Sequence, residues 1–327
     1  MLGINSCKLF NSPRSRNMKM KIINIILVGL LIGVPDFGFS QVSKDKKDNM
    51  PVATQWLLDA AGETGRSAIK SVYLIECKPK MTKGTGFLLR GGYIISAAHV
   101  INACPINDLI AYSPFGEQIR FKQAQADIER DLAILTPTIP LKGGLLLGDD
   151  ASPSVGTVVS TWGFPLGYNG PAPLLSVGYL SGFSAQPRPP KKGETGIPLV
   201  KHLVVNGAFN PGNSGGPLFK ANDDRVIGLV VSKHVPMSAF QLSALQALAT
   251  NSSGVTFTAT DQNGQQIVLV ESQLVADLLN SYKNLAQVMI GEAVSISELR
   301  SFLNEQGIKE SKPDGQLPSS TQKKKKN

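Results

Sequence analysis

The chain has 327 residues, of which 42% are hydrophobic and 17% charged, a balance typical of a globular protein with a substantial core. Residues 1–40 hold five Lys or Arg and one acid, and Lys323–Lys326 add four positive charges, so the formal net charge of +9 falls to +1 for the remainder. This nearly neutral body gives little support to nucleic-acid binding, for which a clustered basic face is expected, so no nucleic-acid partner is expected.

The first 40 residues have the pattern of an export signal. Basic residues precede the apolar run Ile22–Val34, and small residues stand before Gln41, where a signal peptidase would cut. The run has 13 residues, fewer than the roughly 20 that a membrane-spanning helix needs. We therefore expect an exported protein, periplasmic or secreted, with no stable membrane span after removal of residues 1–40; an uncleaved N-terminal anchor is the alternative.

After residues 41–67, which contain a helical pattern, the chain carries a cysteine pair. Cys7 leaves with the export signal, so the mature protein keeps Cys77 and Cys104. In an oxidising compartment an even pair favours a disulfide. It would close a loop of 28 residues around His99 and contribute about 3 kcal/mol. The alternative is two buried thiols that pack as small apolar residues.

The body of the chain alternates short strand-like runs with turn residues, without the rhythm of parallel strands and crossover helices. The runs that predict strands are Val72–Cys77, Gly86–Leu89, Tyr93–Ser96, Leu109–Tyr112, Leu132–Leu135, Thr157–Thr161, Ser176–Leu180, His202–Val205 and Val226–Val231. Helical patterns cover Thr54–Ile69, Met237–Ala249, Glu271 to about Gly291, and Ile296–Glu305. The proline-rich stretch Gln186–Pro198 is interpreted as a loop within the domain.

These patterns predict an all-β domain over residues 68–260, with a first barrel over about 68–136 and a second over about 150–260. A helical region, 261–311, and a disordered Lys-rich tail, 312–327, are expected to follow it. The tail is interpreted as solvated, with contact to an anionic surface as the alternative. The helical segment at 237–251 is either a lid or interface, or an amphipathic helix packed on the second barrel.

The stretch NPGNSGGPLF, residues 210–219, places Ser214 among three glycines. A run of glycines suits a backbone that turns tightly or lies close to another group. The simplest explanation is an ordinary turn into the strand Pro217–Phe219. The other is a nucleophile, because a serine hydroxyl reacts near neutral pH only when a base lies beside it and a third group orients that base.

The chain offers few partners for such a serine. Of its three histidines, His99 lies at the end of a strand-like run that is followed by small residues. His202 and His234 lie in or just beyond strand-like runs, as packing or surface residues do. Asp131 begins an apolar strand, where a carboxylate can be partly buried beneath an imidazole. Asp127 is its nearest rival.

Four motifs together resemble a known family. GTGFLLRGGYIISAAHV, DLAIL, WGFPLG and NPGNSGGPLF occur in the order typical of the trypsin-like serine peptidases, in particular the bacterial branch that includes the HtrA-type proteases. The resemblance covers about residues 68–260. It implies two six-stranded antiparallel β-barrels of the chymotrypsin-like type with the active site between them, followed by a C-terminal helix. The residues after 260 are too few for a PDZ domain, so a branch without one is expected.

The resemblance also implies roles for individual residues. Ser214 would attack the scissile carbonyl, His99 would act as its base, and Asp131 would orient the imidazole. The N–H groups of Gly212 and Ser214 would form the oxyanion hole. Asn213 occupies the place where digestive relatives carry an acid that pairs with a freed N-terminus, which implies an enzyme that needs no such cleavage.

The resemblance places Ala208 and Val230 in the specificity pocket. Ala208 stands where relatives that select basic residues carry an acid, and Val230 stands where glutamate-specific relatives carry a histidine. A small to medium apolar residue is therefore expected at the cleaved position, with a soft preference.

The sequence thus predicts an exported serine endopeptidase that acts on protein or peptide substrates through an acyl-enzyme. The first alternative is a catalytically silent protein of the same fold that binds unfolded or extended peptides. The second is an esterase of the α/β-hydrolase type, since residues 212–216 fit G-x-S-x-G, but that class orders its triad Ser, acid, His on alternating strands and helices. The sequence has no metal-binding cluster and no cofactor motif, so neither is expected.

Overall fold

The computed structural model describes residues 50–80, 82–191, 193–233, 239–260, 266–285 and 290–310. The predicted export signal, the Lys-rich tail and His234 lie outside these ranges. Within them, no helix combines the length and the apolar character needed to cross a membrane.

Strands dominate the described residues. In chain order they are β1 (Val72–Cys77), β2 (Thr82–Leu89), β3 (Tyr93–Ser96), β4 (Leu109–Tyr112), β5 (Gln118–Asp127), β6 (Leu132–Pro137), β7 (Val158–Gly163), β8 (Leu174–Pro187), β9 (Leu199–Gly207), β10 (Pro217–Lys220), β11 (Val226–Lys233), β12 (Thr256–Thr260), β13 (Gln266–Val270) and β14 (Gly291–Ser295). The helices are α1 (Val52–Ala60), α2 (Glu63–Ser71), α3 (Ala98–Ile101), α4 (Ala239–Thr250), α5 (Glu271–Leu285) and α6 (Ile296–Glu305).

The strands form two closed antiparallel barrels of six strands each. The first has the order β1-β2-β3-β6-β5-β4, and the second the order β10-β11-β14-β9-β8-β7. Closure removes exposed strand edges, and each barrel is filled by apolar side chains such as Phe87 and Ile134 in the first and Leu180 and Leu203 in the second. The predicted fold class, including the C-terminal helix α6, is confirmed.

The second barrel does not end at residue 260, so the predicted limit is wrong. Its strand β14 lies at Gly291–Ser295, paired with β9 and β11. The region 261–311 accordingly contains β13 and β14 as well as helices. The short segment Gly291–Ser295 contains one β-branched residue and no turn signal before it, so its local pattern is too weak to indicate a strand. Pairing with its neighbours in the barrel decides its conformation.

Two other elements differ from the prediction, a helix that is divided and a strand that was not predicted. The helix expected over Thr54–Ile69 is two helices, α1 and α2, because the backbone is extended at Ala61 and Gly62. Strand β5 had no counterpart among the predicted strands: most of its residues are polar and exposed, and its central Phe121 is buried. A strand with one face in water can carry such a sequence when its neighbours supply the hydrogen bonds.

The cysteines are bonded to each other. Cys77 at the end of β1 and Cys104 just after α3 have Cα atoms 6.1 Å apart and form a disulfide. This confirms the pairing over the alternative of two free thiols. The bond ties the segment that carries His99 to β1.

A helix–hairpin–helix segment separates β11 from β14. It contains α4, the hairpin β12–β13 and α5, with α4 packed against α5 and Leu245 and Ala276 buried. Several of its large apolar side chains remain exposed, including Phe240, Leu278 and Tyr282. The helix predicted at Met237–Ala249 is thus present as α4, and its role as lid, interface or packed helix stays a prediction.

Candidate functional site

His99 stands on the one-turn helix α3, directly after β3. Its neighbours Ala98 and Val100 are buried, and Val100 packs on Gly84, where an added Cβ would lie only 2.6 Å from it. The apolar neighbours hold the short helix on the first barrel. The imidazole of His99 therefore points outward, with 49% of its side chain exposed.

Asp131 holds His99 through both of its carboxylate oxygens. Oδ2 lies 2.6 Å from Nδ1 of His99, and Oδ1 accepts the backbone N–H of His99 at 2.8 Å. Asp131 adopts the left-handed conformation, with φ of 54°, in the turn between β5 and β6. This conformation is rare for a residue with a Cβ, although aspartate tolerates it better than most. The two bonds fix the ring and leave Nε2 available.

Asp127, the rival acid, faces a different group of residues. Its side chain is 5% exposed, and it accepts hydrogen bonds from the backbone N–H of Arg130 at 3.0 Å and from Nζ of Lys191 at 3.0 Å. Glu305 of α6 contacts both of these basic side chains. The geometry thus brings Asp131, and not Asp127, to His99.

This ionic cluster, formed by Asp127, Arg130, Lys191 and Glu305, joins three parts of the chain. It links the turn before Asp131, the proline-rich loop and α6. Burial opposes the ionisation of Asp127, but the hydrogen bonds from Lys191 and Arg130 and their positive charges outweigh it, so the pKa of Asp127 is lowered. The pKa of Glu305 is lowered by the same two partners against its own burial. Both carboxylates are therefore ionised at neutral pH.

Ser214 stands on a tight turn, which we call the nucleophile turn, residues 210–214. The N–H of Asn213 donates to the carbonyl of Asn210 at 3.0 Å, and Gly212 has φ of 95°. A Cβ on Gly212 would lie 2.3 Å from the carbonyl oxygen of Phe164. Only glycine fits there, because both the backbone angle and the space exclude a side chain.

The carbonyls of the nucleophile turn all have partners. That of Pro211 accepts the N–H of Leu166 at 2.6 Å, that of Gly212 accepts the hydroxyl of Thr85 at 2.6 Å, and that of Ser214 accepts the N–H of Thr85 at 2.8 Å. Because the C=O and N–H of a trans peptide point in opposite directions, the bond to Pro211 turns the N–H of Gly212 away from Leu166. Neither that N–H nor the N–H of Ser214 donates to any group in the described part of the chain.

The nucleophile turn lies against the segment that precedes His99. A Cβ on Gly215 would stand 2.0 Å from the carbonyl oxygen of Thr85 and 2.9 Å from the backbone nitrogen of Ala97. The hydroxyl of Ser214 donates to the carbonyl of Val231 at 3.3 Å. It makes no hydrogen bond to His99 among the residues described here.

The two residues expected in the specificity pocket have different surroundings. Val230 is 1% exposed and belongs to the apolar core of the second barrel. The N–H of Val230 donates to the carbonyl of Gly216 at 2.9 Å. Ala208 is half-buried just after β9. Beside it, Phe209 is buried against Gly291, where a Cβ would lie 2.4 Å from its ring.

His202, one of the remaining histidines, is buried in β9, with Nδ1 3.2 Å from the carbonyl of Val200. That position suits a packing residue. Across the described ranges, no group of three or more His, Cys, Asp or Glu side chains is arranged to hold a metal ion.

Sequence reasoning missed the residues that hold the nucleophile turn in place. Thr85 lies within the motif GTGF and Leu166 within the motif WGFPLG, so both residues belong to motifs that the sequence displays. Nothing in either motif shows that its residue bonds to a turn that lies far along the chain.

Residues 84–229 match a family model described as trypsin-like peptidase domain. The chain is therefore similar to this domain over somewhat less than half of its length. Over 148 residues it is 31% identical to "Probable periplasmic serine endoprotease DegP-like" of Halomonas elongata, an alignment that covers 45% of this chain and 28% of that protein. It is also 30% identical over 161 residues to the chloroplastic "Protease Do-like 1" of Arabidopsis thaliana, covering 48% of this chain and 34% of that protein. The chain thus spans about a third of the length of these relatives.

Among solved structures, the active form of the Rv3671c protease from M. tuberculosis matches the fold with a TM-score of 0.50 at 17% identity. The match covers 84% of this chain and 96% of that one. It supports the architecture of two barrels.

Proposed function

We propose that the protein is an exported serine endopeptidase with the triad His99, Asp131 and Ser214. The observation that carries the proposal is the pair of bonds from Asp131 to His99, made beside a glycine turn that presents Ser214. A carboxylate that fixes an imidazole close to a half-buried serine fits the arrangement that serine acyl transfer requires.

In the proposed reaction, His99 takes the proton of the Ser214 hydroxyl through Nε2 while the oxygen attacks the scissile carbonyl. The tetrahedral intermediate then collapses to an acyl-enzyme as His99 gives the proton to the leaving amine. Asp131 holds Nδ1 protonated and stabilises the imidazolium. Water, activated by the same imidazole, hydrolyses the acyl-enzyme.

The oxyanion of each intermediate would be stabilised by the N–H groups of Gly212 and Ser214. Their freedom from intramolecular acceptors supports this role, because a preorganised donor stabilises developing charge without reorganisation. Removal of one such donor typically lowers the rate by ~10²–10³.

For substrates, we propose proteins or peptides cleaved after a small to medium apolar residue, with Ala208 and Val230 contributing to the pocket. The lack of a charge at Ala208 supports this preference. Export to the periplasm or beyond is supported by the pattern of residues 1–40 and by the disulfide.

One observation favours the second candidate, a catalytically silent protein that binds extended peptides. The Ser214 hydroxyl donates to Val231 and not to His99. The Ser214 hydroxyl would have to leave Val231 and turn to His99 before proton transfer.

The test compares the purified protein with three variants in the digestion of unfolded casein, followed by mass spectrometry of the new peptide ends. Ser214→Ala and His99→Ala remove triad members. Ser181→Ala is the matched control, because the Ser181 hydroxyl also donates to a backbone carbonyl at 3.3 Å, but on β8.

We expect the unchanged protein and Ser181→Ala to cleave casein, and the other two variants to leave it intact. The new peptide ends should cluster after small apolar residues. A fluorophosphonate probe should label Ser214 in the same two proteins. Casein left intact by the unchanged protein, together with no labelling of Ser214, would favour the peptide-binding candidate.

A further inference from the structure

We infer that Thr85 is a positioning residue that holds the nucleophile turn, and with it the two oxyanion donors, in the working orientation. The inference rests on the proposed function for its catalytic consequence. It concerns a side chain on β2 of the first barrel that acts on a turn of the second.

Every polar atom of Thr85 takes part in a hydrogen bond. Its hydroxyl donates to the carbonyl of Gly212 at 2.6 Å and accepts the N–H of Phe164 at 3.1 Å. Its N–H donates to the carbonyl of Ser214 at 2.8 Å, and its carbonyl accepts the hydroxyl of Ser96 at 2.7 Å. One residue thus holds two carbonyls of the turn that contains Ser214.

These bonds are fully enclosed. Thr85 is 0% exposed, so water cannot replace a lost partner, and an unpaired buried polar group costs about 1–3 kcal/mol. Two glycines of other segments pack closely against Thr85. A Cβ on Gly163 would lie 2.9 Å from the Thr85 hydroxyl, and a Cβ on Gly215 would lie 2.0 Å from the Thr85 carbonyl oxygen. The hydroxyl therefore has one position and one donor direction.

Among the described residues, the one side-chain hydrogen bond from the nucleophile turn is that of the Ser214 hydroxyl to the carbonyl of Val231, and at 3.3 Å it is too long to be a strong anchor. Asn213 is 1% exposed, and neither its amide nitrogen nor its amide oxygen has a hydrogen-bond partner in the described part of the chain. The orientation of the turn therefore depends on its backbone. The carbonyl of Asn210 accepts the N–H of Asn213, that of Pro211 the N–H of Leu166, and that of Asn213 the N–H of Gly216. Thr85 holds the remaining two, those of Gly212 and Ser214.

The hydroxyl has a specific consequence for catalysis. It fixes the peptide between Gly212 and Asn213, which lies between the peptides that carry the two oxyanion N–H groups. If that peptide could rotate, both N–H groups would move relative to the oxyanion. Substrate binding would change little, because the ground-state carbonyl depends less on these donors than the transition state does.

The test measures kcat and KM of Thr85→Val and Thr85→Ser, corrected for the folded fraction. Valine has the shape of threonine without the hydroxyl, whereas serine keeps the hydroxyl. We expect Thr85→Val to lower kcat by about 10- to 100-fold with KM changed less than about threefold, and Thr85→Ser to restore most of kcat.

Thr54→Val is the matched control. Thr54 is also 0% exposed, and its hydroxyl donates to the carbonyl of Pro114 at 2.7 Å, far along the chain from the nucleophile turn. The Thr54→Val variant should lose stability as Thr85→Val does, but its kcat should equal that of the unchanged protein. Equal kcat for the two valine variants would overturn the inference, as would a Thr85→Ser variant no better than Thr85→Val.

A second readout separates this inference from the proposed function. Hydrogen exchange of the peptide covering residues 210–216 should be faster in Thr85→Val than in Thr54→Val, whether or not the protein turns over substrate. No Ser214-dependent turnover in the unchanged protein would refute the proposed function alone. Unaltered exchange of residues 210–216 in Thr85→Val would refute the anchoring.

Discussion

The two barrels contribute to the candidate site in different ways. The first supplies His99 and Asp131, whose contact consists of side-chain and backbone bonds made within that barrel. The second supplies Ser214, on a turn of which two carbonyls are held by Thr85 of the first barrel. The acid–base pair is thus a local structure, whereas the geometry around the nucleophile exists only when the two barrels are docked.

The largest effect is expected within the first barrel, for Asp131→Asn. An amide at this position can still accept the backbone N–H of His99, but it no longer favours the tautomer with a proton on Nδ1, so kcat should fall by about 10⁴. Steady-state kinetics on a peptide ester would measure it. Asp127→Asn, four residues earlier, is the control, and a similar loss of kcat in both variants would contradict the assignment of Asp131.

The next effect concerns the turn of the second barrel. Gly212→Ala should lower kcat by about 10²–10³, because an added Cβ would displace the turn from Phe164 and move an oxyanion donor. Gly116→Ala is the control: Gly116 has φ of 83° and no atom near its Cβ position, so it tests backbone strain without displacement. Kinetics and thermal unfolding of both variants separate the two causes, and equal kcat would argue against the role of the turn.

The ionic cluster should affect stability without affecting chemistry. Asp127→Asn leaves the buried Arg130 with one carboxylate partner fewer, at a cost of about 3–5 kcal/mol in the free energy of unfolding. Urea unfolding at pH 7 measures the cost. A normal kcat for the folded protein is expected, and a loss of kcat would show that the cluster helps to position Asp131.

Asp127→Asn should also change how the stability of the protein depends on pH. Because the folded pKa of Asp127 is lowered, its contribution is present above its unfolded pKa of about 4 and is lost as pH falls through the folded value. The unchanged protein should therefore lose stability below about pH 4, and Asp127→Asn should lose less over the same range. Parallel curves for the two proteins would show that Asp127 does not contribute this dependence.

The smallest effect is expected for the disulfide. Replacing Cys77 and Cys104 together by alanine should lower the free energy of unfolding by about 3 kcal/mol, because the unfolded chain gains the freedom of the opened loop. Thermal unfolding of the variant, and of the unchanged protein with reductant, should give the same shift. The bonds between Asp131 and His99 should keep kcat nearly normal, and a large loss would show that the first barrel needs the disulfide to hold His99.

Much of the fold could be predicted from local patterns. The bounds of β1, β3, β4 and α6 agree with the predicted runs, since each has a clear apolar period. The patterns failed for β5, which is mostly polar, and for β14, which follows a long inserted segment. Strand β14 pairs with β9 and β11, which are distant in sequence, whereas β5 pairs with the adjacent strands β4 and β6. In both cases the neighbouring strands supply the hydrogen bonds, so the residues need little strand propensity of their own.

For the candidate site, the sequence by itself determined which residue types and motifs were present: a histidine after a strand, an acid before one, and a serine among glycines. Tertiary structure alone decided that Asp131 and not Asp127 meets His99, that the Ser214 hydroxyl bonds to Val231, and that Thr85 holds the turn. The physical reason is that a hydrogen bond or ion pair is made or lost when the distance between its two groups, which here lie far apart in the chain, changes by about a few tenths of an ångström. Only the closure and docking of the two barrels set those distances.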